Sequence, residues 1–291
     1  MKENQPLVSI IIPVFEQLEY TKKCIQCIKK TIGGKINFEI IIVDDCSEDG
    51  TVEFLKNLSE KYRVFFNSEK RSYAQNNNFA AEKASGEYLC LLNNDVFVEA
   101  NWLQPMLDAF KKREKVGLVG NVQKYHSSCI YDHMGVVFGP QGNPRHYGQW
   151  FRKIQFHGEL RNWSAVTAAC CVIRRETFLS LGGFNESFYN GCEDVDLCIR
   201  LNRRGLRNYV AHSSIVSHVK GASRGRKTYN EQNAELLKKL WQSEIMANES
   251  VTDQILHAKN YIYRGLIRPF STNFFKWIEA LLIYCRLKRL Q

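Results

Sequence analysis

The chain has 291 residues, enough for one large domain or one domain with an appendage. With 44% hydrophobic and 24% charged residues it is ordinary globular material, which excludes intrinsic disorder and collagen-like structure. Forty basic residues against thirty acidic ones give a formal charge of +10, the balance of a protein that meets nucleic acid, an acidic membrane face or phosphates.

Residues 7–12 are a near-continuous β-branched run ending at Pro13, as expected of a strand buried on both faces. Residues 19–32 carry Tyr20, Cys24, Cys27, Ile28 and Ile32 at helical spacing, and Gly33-Gly34 stops that helix. A second buried strand is expected over 38–43 and a helix over 51–61, with Val52, Leu55 and Leu58 on one stripe. A short strand at 64–66, a helix over 73–85, a strand at 88–92, a helix capped by Asn101 and a strand at 116–119 complete the first half. This alternation argues for an α/β fold, an open and mostly parallel sheet with helices on both faces.

Such sheets bind ligands beyond the carboxyl ends of their strands. The residues at those ends are Pro13, Phe15 and Glu16, then Asp44 and Asp45, then Asn67 and Ser68, then Asn93, Asn94 and Asp95. The first turn lacks G-x-G-x-x-G and no Walker-type loop occurs, so a phosphate-bearing ligand needs another device, most simply a divalent metal on Asp95.

Residues 120–165 mix Gly, Pro, aromatics and His without a dominant period, and read equally as an acceptor cleft or as loop packing. His126, His133, His146 and His157 lack metal-ligand spacing. A strand at 165–173, a helix at 176–181 closed by Gly182-Gly183, a helix from Glu193 to Leu201 and two short strands at 209–210 and 215–216 lead to His218. The ten cysteines form no disulfide framework. The opening MKENQPLVSI has no apolar signal region, so plain thiols in a reducing, cytoplasmic setting are expected, Cys24 and Cys27 included.

Taken together in this order and spacing, the motifs resemble those of nucleotide-sugar glycosyltransferases of family 2, with the GT-A fold. They are the opening strand to Glu16; Ile42-Val43-Asp44-Asp45 with Ser47, Asp49 and Gly50; Asn77-Asn78; Gly86 to Asp95; Gly182-Gly183-Phe184; and Glu193-Asp194 with Asp196 and Arg200. The resemblance covers about residues 7–220. It implies that Pro13, Phe15 and Glu16 line a nucleoside pocket, that Asp45 faces the base with Asp44 beside it, and that Asn78, Asn93 and Asn94 belong to the donor site. It further implies that Asp95 and His218 hold a divalent metal (Mg2+ or Mn2+) on the diphosphate, and that Asp194 is the catalytic base. Arg71 stands where relatives often carry a Gly-rich turn and could meet the diphosphate. The usual D-x-D reads Asn93-Asn94-Asp95 here, which resembles the rhamnosyltransferase-like branch and leans the donor towards dTDP-rhamnose.

The function so implied is inverting transfer of a hexosyl or deoxyhexosyl group from a UDP- or dTDP-linked donor. The acceptor would be a hydroxyl of a glycan, lipid-linked or protein molecule, in surface polysaccharide or glycoconjugate assembly. The alternatives are a sugar-nucleotide pyrophosphorylase and a non-catalytic nucleotide-sugar or polyanion binding module. A nucleic-acid partner is not expected, since no helix-turn-helix, zinc finger or RNA-binding aromatic motif occurs.

The expected organisation is a GT-A domain over 1–225, with a donor half to about 120 and an acceptor half from about 121, followed by a helical extension over 226–291. That extension is basic and aromatic. Residues 251–291 hold seven basic residues against two acidic ones, half of the net charge. It suits peripheral contact with the cytoplasmic membrane face, or packing on the catalytic domain or in a homodimer.

Overall fold

The computed structural model describes residues 8–32, 36–139, 141–221, 228–248 and 251–287. Leu7, the Gly33-Gly34 stop, the boundary at 225/226, Lys288 and Arg289 lie outside them.

The donor half runs β1 (Val8–Val14), α1 (Leu18–Ile32), β2 (Phe38–Asp44), α2 (Thr51–Lys56), β3 (Arg63–Phe66), α3 (Tyr73–Lys83), β4 (Tyr88–Leu92), β5 (Val96–Val98) and α4 (Gln104–Lys112). The acceptor half follows with β6 (Val116–Tyr125), β7 (Tyr131–His133), β8 (Val136–Phe138), β9 (Pro144–His146), β10 (Leu160–Trp163), β11 (Cys170–Arg174), α5 (Arg175–Ser180), α6 (Glu193–Arg203) and β12 (Arg207–His218). Three helices close the chain: α7 (Asn230–Asn248), α8 (Val251–Ile267) and α9 (Phe274–Tyr284), with a 3-10 turn at Pro269–Ser271 before the last. No helix among the described residues is long and apolar enough to cross a membrane.

The main sheet has the order β10-β12-β6-β11-β4-β1-β2-β3, with β5 on β12 and β7 on β6. It is mixed and, by paired length, mostly parallel: β4-β1-β2-β3 and β6-β12 are parallel, while β11 runs against both its neighbours. The continuous apolar runs of β1, β2 and β4 exist because both faces of these strands are covered. Ile11, Ile41, Leu89 and Leu91 face one core, shared with Ala74 and Ala80 of α3, Val195 and Leu197 of α6, and Leu237 and Trp241 of α7. Ile10, Ile12, Ile42 and Cys90 face the other, shared with Cys24 and Ile28 of α1 and Met106 and Phe110 of α4. Side-chain alternation along a strand makes these two sets exclusive. Helix α7 is therefore part of the main core.

Several elements differ from expectation. Helix α2 ends at Lys56, and Leu58 is reached through tight turns (Leu58 N to Leu55 O, 3.0 Å). Asn101 does not cap α4: its φ is +59°, and Pro105 lies in that helix's first turn. The strand expected at 165–173 begins at Cys170, and Ala165 instead forms a single antiparallel bridge with Val136. The two short strands expected at 209–210 and 215–216 are one strand, β12, whose register shifts between Ala211 and Ile215. Residues 120–165 contribute short strands and an aromatic core in which Tyr147 meets Phe151 at 5.4 Å and Trp163 at 5.2 Å. All ten cysteines are free thiols.

The acids of α6 divide their work by helical geometry. Residues two apart on a helix point about 200° apart, so Asp194 lines a cleft while Asp196 is buried at 1% exposure. Asp196 accepts from Arg200 Nε at 2.7 Å and from Trp241 Nε1 at 2.8 Å. Arg200 in turn donates to the carbonyls of Leu181 (3.1 Å) and Gly183 (2.8 Å). Gly182 and Gly183 both have positive φ, +76° and +71°, which a Cβ would strain. Asp196→Asn is expected to cost about 3 kcal/mol, because it leaves the Arg200 guanidinium without its counter-charge. Urea unfolding checks this through a lower midpoint at unchanged slope.

Candidate active site

A cleft of about 560 Å³ opens at the carboxyl edge of the sheet, lined by residues from β1, the loops after β2, β3 and β4, the segment before β11, and the start of α6. Of the residues expected from sequence, Pro13, Phe15, Asp45, Arg71, Asn93, Asn94, Asp95 and Asp194 line it.

Asp45 stands at the end of β2, and its Oδ1 accepts from Asn67 Nδ2 at 2.9 Å and from the Arg71 amide at 2.8 Å. Both bonds fall on one oxygen, so Oδ2 is the one left for a ligand. Lys70 lies over the Phe15 ring at 3.4 Å from its centroid, a cation held against an apolar wall of the cleft.

The Asn93-Asn94-Asp95 turn divides three ways. Asn93 donates its amide N–H to Ala169 O at 2.9 Å, and its buried Oδ1 has no hydrogen-bond partner. Asn94 turns back towards α1, donating to Thr21 Oγ1 at 3.0 Å and to Glu16 O at 3.4 Å. Asp95 precedes β5, whose antiparallel pairing with β12 sets Val96 opposite His218. That register brings Asp95 Oδ1 to 3.3 Å from His218 Nε2, while His218 Nδ1 meets Gln123 Oε1 at 3.1 Å. A β-ladder thus joins two residues far apart in sequence.

The Asp95 carboxylate, the His218 imidazole and the orphaned Asn93 oxygen suit a divalent cation. Among the described residues no cluster of three His, Cys, Asp or Glu side chains could hold one unaided. The remaining ligands would have to be phosphate oxygens and water, the way small divalent cations are shared with nucleotides.

Asp194 is the second residue of α6. Its Oδ2 accepts from Ala168 N at 3.0 Å and its Oδ1 from Val195 N at 2.8 Å, which fixes the carboxylate in orientation. Ala168 and Ala169 therefore tie Asp194 to Asn93 through adjacent backbone groups. Cys192, also in the cleft wall, is pushed up to about 12 by burial and by the charges of Asp194 and Glu193, so it stays a neutral thiol rather than a nucleophile.

Four expected residues do not line the cleft. Asp44 lies behind Asp45 at 1% exposure and accepts from Ser47 N at 3.1 Å; burial pushes its carboxyl up, against the Ser47 bonds that hold it down. Glu16 has φ +54° and meets Ser47 Oγ through its backbone N–H at 2.7 Å, shaping the turn after β1. Asn78 points to the Gly182-Gly183 turn, donating to Phe184 O (3.0 Å) and Glu186 (2.9 Å) and accepting from Phe184 N (2.8 Å). His218 stands just behind the lining, its Nε2 3.3 Å from Asp95 Oδ1.

Lining residues outside the set expected for the site include Lys70, Tyr73, Asn76, His146 and Tyr229. Ser72 and Gln75 form a capping box that starts α3 at the cleft, and that S-x-x-Q signal could have found Asn76. His146 pairs with Asp132 at 3.3 Å, and Asp132 also accepts from Lys220 at 2.6 Å; together they hold the Asp132 carboxyl well below its usual range despite burial. Tyr229 packs on Tyr189 with ring centroids 4.5 Å apart, and Asn233 of α7 bonds Tyr189 N and O at 3.2 and 2.9 Å. The start of the expected extension is thus part of the rim.

The family model described as glycosyl transferase family 2 matches residues 9–182, more than half of the chain. The chain belongs to glycosyl transferase family 2. It is 32% identical over 279 residues to the uncharacterized protein y4gI of Sinorhizobium fredii, covering 89% of this chain and 30% of that protein. It is also 32% identical over 228 residues to the O-antigen biosynthesis protein RfbC of Myxococcus xanthus, covering 75% of this chain and 18% of that one. The chain thus spans less than a third of the length of these two relatives. Among solved structures it is similar to GalNAc-T7 crystallised with UDP, GalNAc and Mn2+, with a TM-score of 0.68 at 18% identity over 84% of this chain and 49% of that one. At that identity the likeness is one of fold, and it gives this family 2 chain the GT-A architecture.

Proposed function

We propose that the cleft transfers a sugar, with inversion, from a UDP- or dTDP-linked donor to an acceptor hydroxyl. A divalent metal, Mg2+ or Mn2+, would be held by Asp95 and His218. The observation that carries this reading is the shared Ala168-Ala169 segment, which ties the Asp194 carboxylate to the Asn93-Asp95 turn within one cleft. The similarity to a UDP- and Mn2+-bound structure supports the donor class, and the similarity to an O-antigen protein supports a place in surface polysaccharide assembly.

Asp45 and Phe15 would receive the nucleoside, and the Asn93 turn the diphosphate. An acceptor hydroxyl has a pKa far above neutral, so its attack on the anomeric carbon needs a base as the proton leaves. Asp194 fills that role, because two backbone N–H groups hold its oxygens in fixed directions. As the glycosidic bond breaks, negative charge grows on the leaving diphosphate. Lys70 and Arg71 stand at the cleft wall to offset it. The metal, when bound, supplies Lewis-acid stabilisation of the same charge. One base opposite one leaving group implies inversion. On this reading the catalytic unit is the GT-A domain expected over 1–225 together with helix α7, whose Leu237 and Trp241 lie in its core and whose Asn233 braces Tyr189 at the rim, followed by α8 and α9. The deoxyhexosyl lean rests on Asn93 in place of a carboxylate.

The test is a panel of UDP- and dTDP-sugars incubated with protein and metal. Slow release of nucleoside diphosphate from one donor is expected. With pyrophosphate added, release of nucleoside triphosphate and sugar 1-phosphate instead, or release of nothing from any donor, overturns the proposal.

A further inference from the structure

Helix α9 is apolar on two faces. On one, Ala280 and Ile283 pack with Ala258 of α8, and Trp277 donates to Ile262 O at 3.1 Å. On the other, Phe274, Ile278 and Leu282 recur every fourth residue with Phe275 beside them, all open to solvent; Phe274 is 65% exposed and Phe275 81%. The 3-10 turn before it adds Phe270, fully exposed, and the end of α8 adds Leu266 at 67%. A folded chain rarely leaves so many large apolar side chains together in water unless something covers them.

The charge around this stripe indicates what covers it. Arg268, Lys276 and Arg286 are exposed beside it, Glu279 is the one acid between residues 266 and 287, and the sequence continues with Lys288 and Arg289. A second copy seated by a two-fold axis would bring the same cations face to face, since such an interface pairs a patch with itself. An anionic bilayer surface instead accepts phenylalanines into its acyl boundary and cations among its headgroups.

We propose that the stripe of Phe270, Phe274, Phe275, Ile278 and Leu282, with its basic rim, docks the protein peripherally on an anionic phospholipid surface. The docking face is continuous with the acceptor half. Asn260 of α8 accepts from Gly148 N at 3.0 Å, and Tyr263 packs on Phe151 at 4.7 Å. Arg268 lies over Trp150 at 4.4 Å, and next to Trp150, Gln149 bonds Asp132 at 3.2 Å, the partner of His146 in the cleft wall. A bilayer on this face therefore brings lipid to the acceptor side of the cleft, which makes a lipid-linked acceptor the class that fits. That last step rests on the transferase reading, whereas the docking itself does not.

The test is sedimentation of the full chain with vesicles of phosphatidylcholine alone, or of phosphatidylcholine with about a third phosphatidylglycerol. Expected is binding to the anionic vesicles that falls with added salt, and a loss of about tenfold or more in Phe270→Ser/Phe275→Ser. Both side chains are exposed, so the variant should keep the wild-type thermal midpoint and release of nucleoside diphosphate in solution. Absence of binding to anionic vesicles, equal binding by the variant, or a wild-type dimer that the variant turns into monomer overturns the docking proposal. Vesicle binding without nucleoside diphosphate release from any sugar nucleotide would instead overturn the transferase reading and the lipid-linked acceptor with it.

Discussion

Asp194→Asn is expected to lose transfer by about 10³-fold while binding the nucleoside diphosphate within a few-fold of wild type. The substitution is isosteric, so the cleft keeps its shape, but an amide cannot take the acceptor proton. One physical complication is built in. Both carboxylate oxygens accept backbone N–H groups, from Ala168 and Val195. An amide has one oxygen, so its NH2 must face one of those donors, and the Ala168 segment should loosen slightly. A modest loss of thermal stability is therefore expected alongside the loss of turnover. Thermal melts with and without nucleotide separate the two effects from each other. Donor hydrolysis should fall less than transfer, because water can attack with bulk proton acceptors. A variant that transfers at near wild-type rate would remove Asp194 from the base role.

The donor half was legible because burial on both faces leaves a strong mark on a strand. Val8 to Val14 and Phe38 to Asp44 can be apolar almost throughout only if helices cover each side, and they do. The rim acids were legible for a related reason, since polar residues that follow such runs mark the carboxyl edge. Where sequence reading stopped short, the cause was length or a polar interruption. Strand β5 has three residues, too few for any period, yet its pairing with β12 is what joins Asp95 to His218. Strand β12 reads as two pieces because His212 and Ser214 interrupt it. Both are fully buried, His212 between Trp163 Nε1 (3.3 Å) and Gln155 O (2.8 Å), and Ser214 bonded to Trp102 O. Burial holds His212 down to about 4, so it is a neutral acceptor for Trp163 at neutral pH. Asn78 carried a second kind of ambiguity. Its motif pointed to the site, but its side chain braces the Gly182-Gly183 turn from outside the cleft.

Asp95→Ala is expected to abolish the metal-dependent part of nucleotide affinity. In wild type, calorimetric titration with nucleoside diphosphate should show tighter binding with Mg2+ or Mn2+ than with a chelator. In the variant the two titrations should coincide, a loss on the order of 10-fold or more in the presence of metal. The argument is one of ligand count. The residues around the turn offer one carboxylate, one imidazole and a neutral amide oxygen, so removing Asp95 takes away the single negative charge among them. His218 cannot compensate, because its other nitrogen is engaged by Gln123 and its ring is oriented through that bond. The same reasoning predicts the opposite sign for Asn93→Asp. That change puts a second carboxylate where a buried oxygen already lacks a partner, and it should raise affinity for the metal. It should also raise the cost of the apo state, since two carboxylates at one turn repel without a cation between them. Metal would then stabilise Asn93→Asp against heat more than it stabilises wild type. If wild-type affinity is the same with metal and with chelator, Asp95 holds no metal. The charge of the leaving diphosphate would then fall to Lys70 and Arg71 alone.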